Sequence, residues 1–408
     1  MSSTPVTRRG LFGSAGVLAG LGLTATSAAA LPPPKDNGRR HGVYEEQVLA
    51  APGDWGVDNF RIPAIAVAPN GDLLAAFDKR PEHGDAPAPN SLWQRRSRDG
   101  GRTWDGPTVI REGLESDVPG EKLGYSDPSY VVDRETGLIF CFHVFSKDAG
   151  VWDSAYGTDD EDRDVLSAAV SVSEDSGRTW SARSVTEVVK PGNCRAAFAT
   201  SGAGIQLRYG SYRGRLVQQY AGFFRDEGSA DGAEIVQAYS VFSDDHGRTW
   251  QMGEPVGKAM DENKVVELSD GTLMMNSREH VRTGHRWVAL SHDGGATWEG
   301  LHRDPALVDP GNNAHITRAY PDAPEGSSKA KWLLFSHADS LPNDRVDGSV
   351  ELSTDDGATW VRKRLFKPGA CQYSVIIATG RDEYALMYEG DDEEIVFARL
   401  DLDWVLNR

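Results

Sequence analysis

One eight-residue phrase, Ser-x-Asp-x-Gly-x-Thr-Trp, occurs five times in the chain: Ser97–Trp104, Ser173–Trp180, Ser243–Trp250, Ser291–Trp298 and Ser353–Trp360. Its chemistry is that of a tight turn. Ser and Asp side chains accept from nearby turn N–H groups, and Gly takes a backbone conformation that other residues resist. The Thr-Trp pair then opens a strand with a large apolar anchor. Five identical copies fit a stapled turn better than five calcium or catalytic sites. Successive copies begin 48 to 76 residues apart, so the underlying unit is about 64 residues long. A unit of that size holds four strands and their loops, which is a propeller blade, and the chain beyond residue 30 holds about six of them. A two-sheet sandwich gives no reason for the recurring turn.

The hairpins count the same way. Strand–turn–strand patterns with Gly, Asn or Asp in the turn begin at Arg61, Asp127, Thr200, Glu262, Asn313 and Tyr373. The last unit lacks the repeated turn and is one strand short. The segment around Val43–Leu49 can supply the missing strand and close the ring. The expected fold is therefore all-β: a six-bladed β-propeller with four antiparallel strands per blade and an N-terminal strand closing the last one. It occupies residues 43–408 as a single domain, after a Pro-rich linker at 31–42.

Residues 1–30 read as an address. Arg8-Arg9 precede a Gly/Ala/Leu-rich run ending in Ala28-Ala29-Ala30, the pattern of a twin-arginine-type signal peptide. Export by that route, as a secreted soluble protein without a membrane span, is the expectation. Formal charge is −18, and removing the segment takes away two arginines and no acid. That balance excludes a nucleic-acid binder, which needs a basic face. Any anionic ligand must then be drawn by a local arginine cluster. Cys141, Cys194 and Cys371 lie far apart, which excludes a disulfide framework or a Cys-based metal site.

In a propeller the residues opening each inner strand, and those just past the second strand, converge on one face around the axis. The repeated turns lie on the other face. The converging residues are Arg61, Asp127, Glu262, Asn313 and Tyr373, with Asp85, Arg278, Arg345 and Glu389. Three guanidiniums on one axis of an acidic protein call for an anion, and a ligand carboxylate fits through bidentate hydrogen bonds. Tyr373 offers a nucleophile that a bound anion does not repel. It needs a base, Glu262, and the arginines to stabilise its phenolate. Asp85, in the loop His83-Gly84-Asp85-Ala86-Pro87, is placed to act as general acid and then base.

These residues, with Phe60-Arg61-Ile62-Pro63 and the five Asp-box turns, make the chain resemble the bacterial exo-α-sialidases (neuraminidases) from about Tyr44 to Trp404. The resemblance implies that Arg61, Arg278 and Arg345 clamp a sialic-acid carboxylate and that Glu389 orients Arg61. It implies Tyr373 as nucleophile, Glu262 as its proton partner, Asp85 as acid/base, and Asp127 as a contact to a sugar hydroxyl. The family's chemistry is retaining hydrolysis of terminal sialic acids through a tyrosyl glycoside, an exception to the two-carboxylate scheme of most glycosidases. It needs no metal or organic cofactor. Sialylated glycans, glycoproteins or glycolipids are the expected partners, and a monomer the expected state. Phe223, Phe224 and Trp152 suit either an acylamino pocket or the core. Two other readings stay open: a sialic-acid-binding propeller without turnover, and an enzyme that transfers sialic acid or prefers the deaminated sugar.

Overall fold

The computed structural model describes residues 42–406, apart from 117, 119, 230, 231 and 343. The expected signal peptide and all of the linker except Gly42 lie outside the described residues. Six separate sheets form a ring of six blades. Their inner strands are Asn59–Val67, Gly124–Val132, Cys194–Ala199, Met260–Glu267, His315–Arg318 and Ser374–Gly380. Each inner strand is flanked by neighbouring blades, so both of its faces are covered. This is why Met260–Glu267 is buried along its whole length, whereas the outer strand Ser181–Ser184 is exposed throughout. The sixth blade closes as expected. Tyr44–Ala50 pairs antiparallel with Ile395–Asp401, from Tyr44 opposite Leu400 to Ala50 opposite Ile395.

All five repeated turns join the third and fourth strands of blades one to five. In every copy the Ser hydroxyl accepts from the Gly N–H at 2.8–2.9 Å. One Asp oxygen accepts from the Thr N–H at 2.8–2.9 Å. The other takes the Thr hydroxyl at 2.6–2.7 Å. The glycine is required twice over. It has positive φ, and it presses on the preceding blade: a Cβ at Gly247 (φ 75°) would stand 2.2 Å from Phe140. Trp250 packs beside it on Phe142, with ring centroids 4.8 Å apart. The turn therefore fastens one blade to the next as well as reversing the chain.

The structure corrects the expected layout in three places. Two blades carry a fifth short strand, so four per blade is not universal. The inner strand of blade three starts at Cys194, not Thr200. Beyond it, Gly202–Ala203 crosses over to pair in parallel with Ser129 and Tyr130 of blade two. Glycine permits that crossing: Gly202 has φ 123°, and a Cβ there would sit 3.3 Å from Lys264 Cε. Finally, Arg61, Asp127 and Glu262 do not open their strands but lie three or four residues in, at register shifts between Arg61 and Ala64, Ser126 and Ser129, and Met260 and Asn263. Arg278 likewise lies within its strand, Leu273–Glu279, rather than past its end. β-Bulges at these points re-aim side chains that regular pleating would send elsewhere.

Candidate active site

Tyr373 immediately precedes the strand Ser374–Gly380 and is 8% exposed. Its hydroxyl donates to Glu262 Oε2 at 2.8 Å. Arg278 Nη1 lies 3.2 Å from the same hydroxyl and is ion-paired with the same Glu262 oxygen. The guanidiniums of Arg61 and Arg345 sit over the Tyr373 ring, 5.2 and 5.5 Å from its centroid. Glu389 pairs with Arg61 at 3.0 Å. Six of the eight expected residues thus form one contiguous group, contributed by blades one, four, five and six.

The electrostatics of this group differ from expectation in one respect. Burial first, and then the Glu262 charge, raise the Tyr373 phenol well above its usual pKa, against the pull of Arg278, Arg345 and Arg61. The three arginines together do not outweigh burial and the Glu262 charge. The hydroxyl keeps its proton and aims it at Glu262.

Asp85 and Asp127 belong to an adjoining cluster built on Arg80. Asp85 Oδ1 accepts from Arg80 Nη1 at 2.9 Å, and its side chain is 67% exposed. Its place at the mouth of the site partly desolvates it, but the charges of Arg80 and Arg61 prevail and hold its carboxyl below the usual value. Asp78, fully buried, accepts from Arg80 Nη2 at 2.9 Å and from the Asp127 N–H at 3.3 Å. Burial pushes Asp78 up to about 6. Burial, then the charges of Asp78 and Asp85, push Asp127 well above the usual carboxylate value.

Sequence reasoning missed four members of the site. Asp78 and Arg80 end the strand Leu73–Arg80, where charge abruptly terminates an apolar run. Gln372 Oε1 accepts from Arg345 Nη1 at 3.1 Å and from Arg61 Nη2 at 3.5 Å, tying two guanidiniums together. Asp261 accepts from the Glu262 N–H at 2.8 Å, contacts His280 Nδ1 at 2.9 Å and faces Arg278 Nε at 3.7 Å. Gln372 and Asp261 carried no signal beyond adjacency to Tyr373 and Glu262. The structure separates the three aromatics. Phe224 is core, packed edge-on to Tyr239; Phe223 is also buried, and its ring meets Trp152 (5.5 Å) and His280 (5.8 Å) near Asp261. Trp152 is 67% exposed.

The six-bladed ring with stapled turns carries a Tyr–Glu pair beneath three arginines on one face, which defines a class of propeller built around an anion-binding centre. The profile of the BNR repeat-like domain matches residues 71–385, and the chain belongs to that family. It is 50% identical over 364 residues to a sialidase of Micromonospora viridifaciens, covering 89% of this chain and 54% of that one. A sialidase-2 of Cricetulus griseus is 27% identical, covering 87% of this chain and 94% of that protein. Among solved structures, a Hadza microbial sialidase superposes with a TM-score of 0.77 at 27% identity, over 88% of this chain and 69% of that one. The chain spans about half the length of the Micromonospora relative.

Proposed function

We propose that this protein is an exo-α-sialidase that releases terminal sialic acids from glycoconjugates with retention of configuration. The observation that carries the reading is the 2.8 Å hydrogen bond from the Tyr373 hydroxyl to Glu262 beneath three convergent arginines. A nucleophile beside a bound carboxylate must be uncharged until it reacts, and a phenol held above its usual pKa meets that condition.

In the first half-reaction Arg61, Arg278 and Arg345 seat the sugar carboxylate. Once the sugar carboxylate offsets the arginine charges that hold its pKa down, Asp85 leaves Arg80, takes up a proton from solvent and gives it to the departing glycosidic oxygen. The Tyr373 oxygen bonds to the anomeric carbon as the glycosidic bond breaks, and the phenolic proton passes to Glu262. In the second half-reaction Asp85 takes a proton from water, which attacks the anomeric carbon. The tyrosyl bond breaks, and Glu262 returns the proton to Tyr373. Asp127 contacts a sugar hydroxyl beside Arg80. The protein acts as an exported monomer on sialylated glycans, delivered by the signal over residues 1–30.

Fluorogenic sialoside hydrolysis by wild type and Tyr373→Phe, both in EDTA, tests the mechanism. The variant loses about 100-fold or more in kcat while keeping its circular dichroism. An undiminished rate removes Tyr373 as nucleophile. An inactive parent that still binds sialic acid makes the protein a lectin. The exposure of Trp152 favours one second reading, transfer to a sugar acceptor stacked on that ring. Sialyllactose formed when lactose is added to the assay separates transfer from hydrolysis.

A further inference from the structure

The inner strands that carry Arg61, Asp127 and Glu262 end, on the opposite face of the ring, at Val67, Val132 and Glu267. There the central channel opens into a second cavity of about 240 Å³, walled by Ile65, Val266 and Ile377 and edged by Arg134, Arg208 and Arg318. It adjoins a broader cleft of about 910 Å³ that shares Arg134 and Arg208 and adds Lys329 and Arg381. Five cationic side chains thus line this mouth, against two carboxylates, Glu267 and Asp322, in a chain of net charge −18.

Two of these groups are consumed by the fold. Glu267 accepts from the N–H groups of Arg208 and Tyr209, each at 2.9 Å, and from Arg318 Nη1 at 3.2 Å. Arg318 also donates to the Tyr209 hydroxyl and, at 2.9 Å, to the Pro321 carbonyl. The other two arginines are not saturated. Arg208 pairs through Nη1 with Asp322, whose side chain is 86% exposed and free to swing aside. Arg134 donates from Nη2 to the Gln206 carbonyl at 3.3 Å, and among the described residues no carboxylate lies within ion-pair distance of it. Arg134 is exposed at the rim, yet partial desolvation first, and then the neighbouring Arg208 charge, lower it to about 10. The two share one lining and repel each other, a repulsion that a bound anion offsets.

We propose that this mouth is a second ligand site, for an organic anion whose carboxylate or sulfonate bridges Arg134 and Arg208 while an apolar body enters the channel between Ile65, Val266 and Ile377. Paired guanidiniums select a planar oxyanion. The apolar wall selects against a bare inorganic ion, which leaves that surface wet. The site faces away from Tyr373, so its occupancy does not depend on the hydrolytic reading.

The test is calorimetric titration of the whole protein with naphthalene-2-sulfonate, and with sulfate for comparison. Saturable binding weakens at least tenfold in the double variant Arg134→Gln/Arg208→Gln and stays within twofold in Arg345→Gln, which alters the other mouth. Sulfate binds at least tenfold more weakly than the naphthalene probe. Sialoside hydrolysis is unchanged by the Arg134→Gln/Arg208→Gln pair. If that pair fails to fold, Arg134→Lys/Arg208→Lys replaces it, with weakened binding again expected because lysine cannot bridge in the same plane. Absence of saturable binding overturns the proposal, as does binding that weakens in Arg345→Gln and not in the double variant. Equal affinity for sulfate overturns the apolar half of the site.

Discussion

Glu389 Oε1 accepts a 2.7 Å hydrogen bond from the backbone N–H of Ile62, a β-branched residue held at φ 63°. Such a conformation costs about 1–3 kcal/mol and persists only where its surroundings enforce it. The other oxygen, Oε2, takes Arg61 at 3.0 Å and the Tyr373 N–H at 3.3 Å. One carboxylate therefore registers the first arginine of the clamp against the nucleophile, across more than 300 residues of sequence.

Glu389→Gln keeps the shape and removes the charge, leaving at least one of these three donors short of a partner. A hydrogen bond to a charged group is worth about 1.5–3 kcal/mol, so KM for a sialoside rises about tenfold or more. Steady-state kinetics beside thermal melting checks it. Wild-type KM in a fully folded variant would detach Glu389 from the clamp.

Gln372→Leu removes the acceptor shared by Arg345 and Arg61. Both guanidiniums then lose alignment while their charges remain. The expected result is a fall of about tenfold in kcat/KM, dominated by KM, with little change in the pH profile. Arg61 also leans on Glu389, so Gln372→Leu combined with Glu389→Gln is worse than the two effects added.

Lys264 supplies a pH signature. It is 2% exposed, and its Nζ bonds to Asn313 Oδ1 (2.8 Å) and the Asn263 carbonyl (3.2 Å), with no ion pair among the described residues. Burial lowers it to about 7, with Glu262 and Asp127 opposing and Arg286 assisting. The unfolded chain keeps this proton up to about pH 10.4. Between roughly pH 7 and 10 the unfolded state therefore binds more protons, so Lys264 makes stability rise with pH across that window, and its penalty is full below pH 7. Lys264→Met removes this dependence. The Tm of the variant relative to wild type is a few degrees more favourable at pH 6 than at pH 9. Equal differences at both values would mean that the amine is not titrating there.

Asp245→Ala addresses the staple. It deletes the acceptor for the Thr249 N–H (2.8 Å), the Thr249 hydroxyl (2.7 Å) and the Ser243 hydroxyl (2.8 Å). The loss of three solvent-facing bonds comes to about 1–3 kcal/mol, so Tm falls by a few degrees, with kcat and KM unchanged at 25 °C. Burial opposes ionisation of Asp245, yet the turn's donors hold it at about 2. Its contribution is present above pH 4 and lost as pH falls toward 2, so the gap between variant and wild type closes in that range.

Ring, blade count and closing strand were legible because they rest on repetition, and a pattern present five times survives local irregularity. Tyr373, Glu262 and Arg61 were legible because their inner strands deliver a polar residue ahead of an apolar run, and Arg278 and Arg345 because each follows the apolar part of a second strand. What escaped depended on features with no periodicity. The bulges at Arg61, Asp127 and Glu262 shift strand starts by residues that no alternation reveals. Gln372 and Asp261 act through neighbours distant in the chain, and the crossing at Gly202 depends on space beside Lys264. The phenol's raised pKa comes from burial, which a list of nearby charges does not contain.

The sixth blade couples completion of the chain to competence of the site. It holds Ser374–Gly380 behind Tyr373 and Glu383–Glu389 ending in Glu389, yet its outer edge is Tyr44–Ala50, which has nowhere to dock until Ile395–Asp401 exists. A ribosome has therefore released nearly all of this domain before the first strand finds its seat. A chain stopped or clipped before Ile395 keeps five blades and loses, together, the latch of the ring and the support of both residues. Velcro of this kind acts as a quality check: unfinished copies do not become partly active ones.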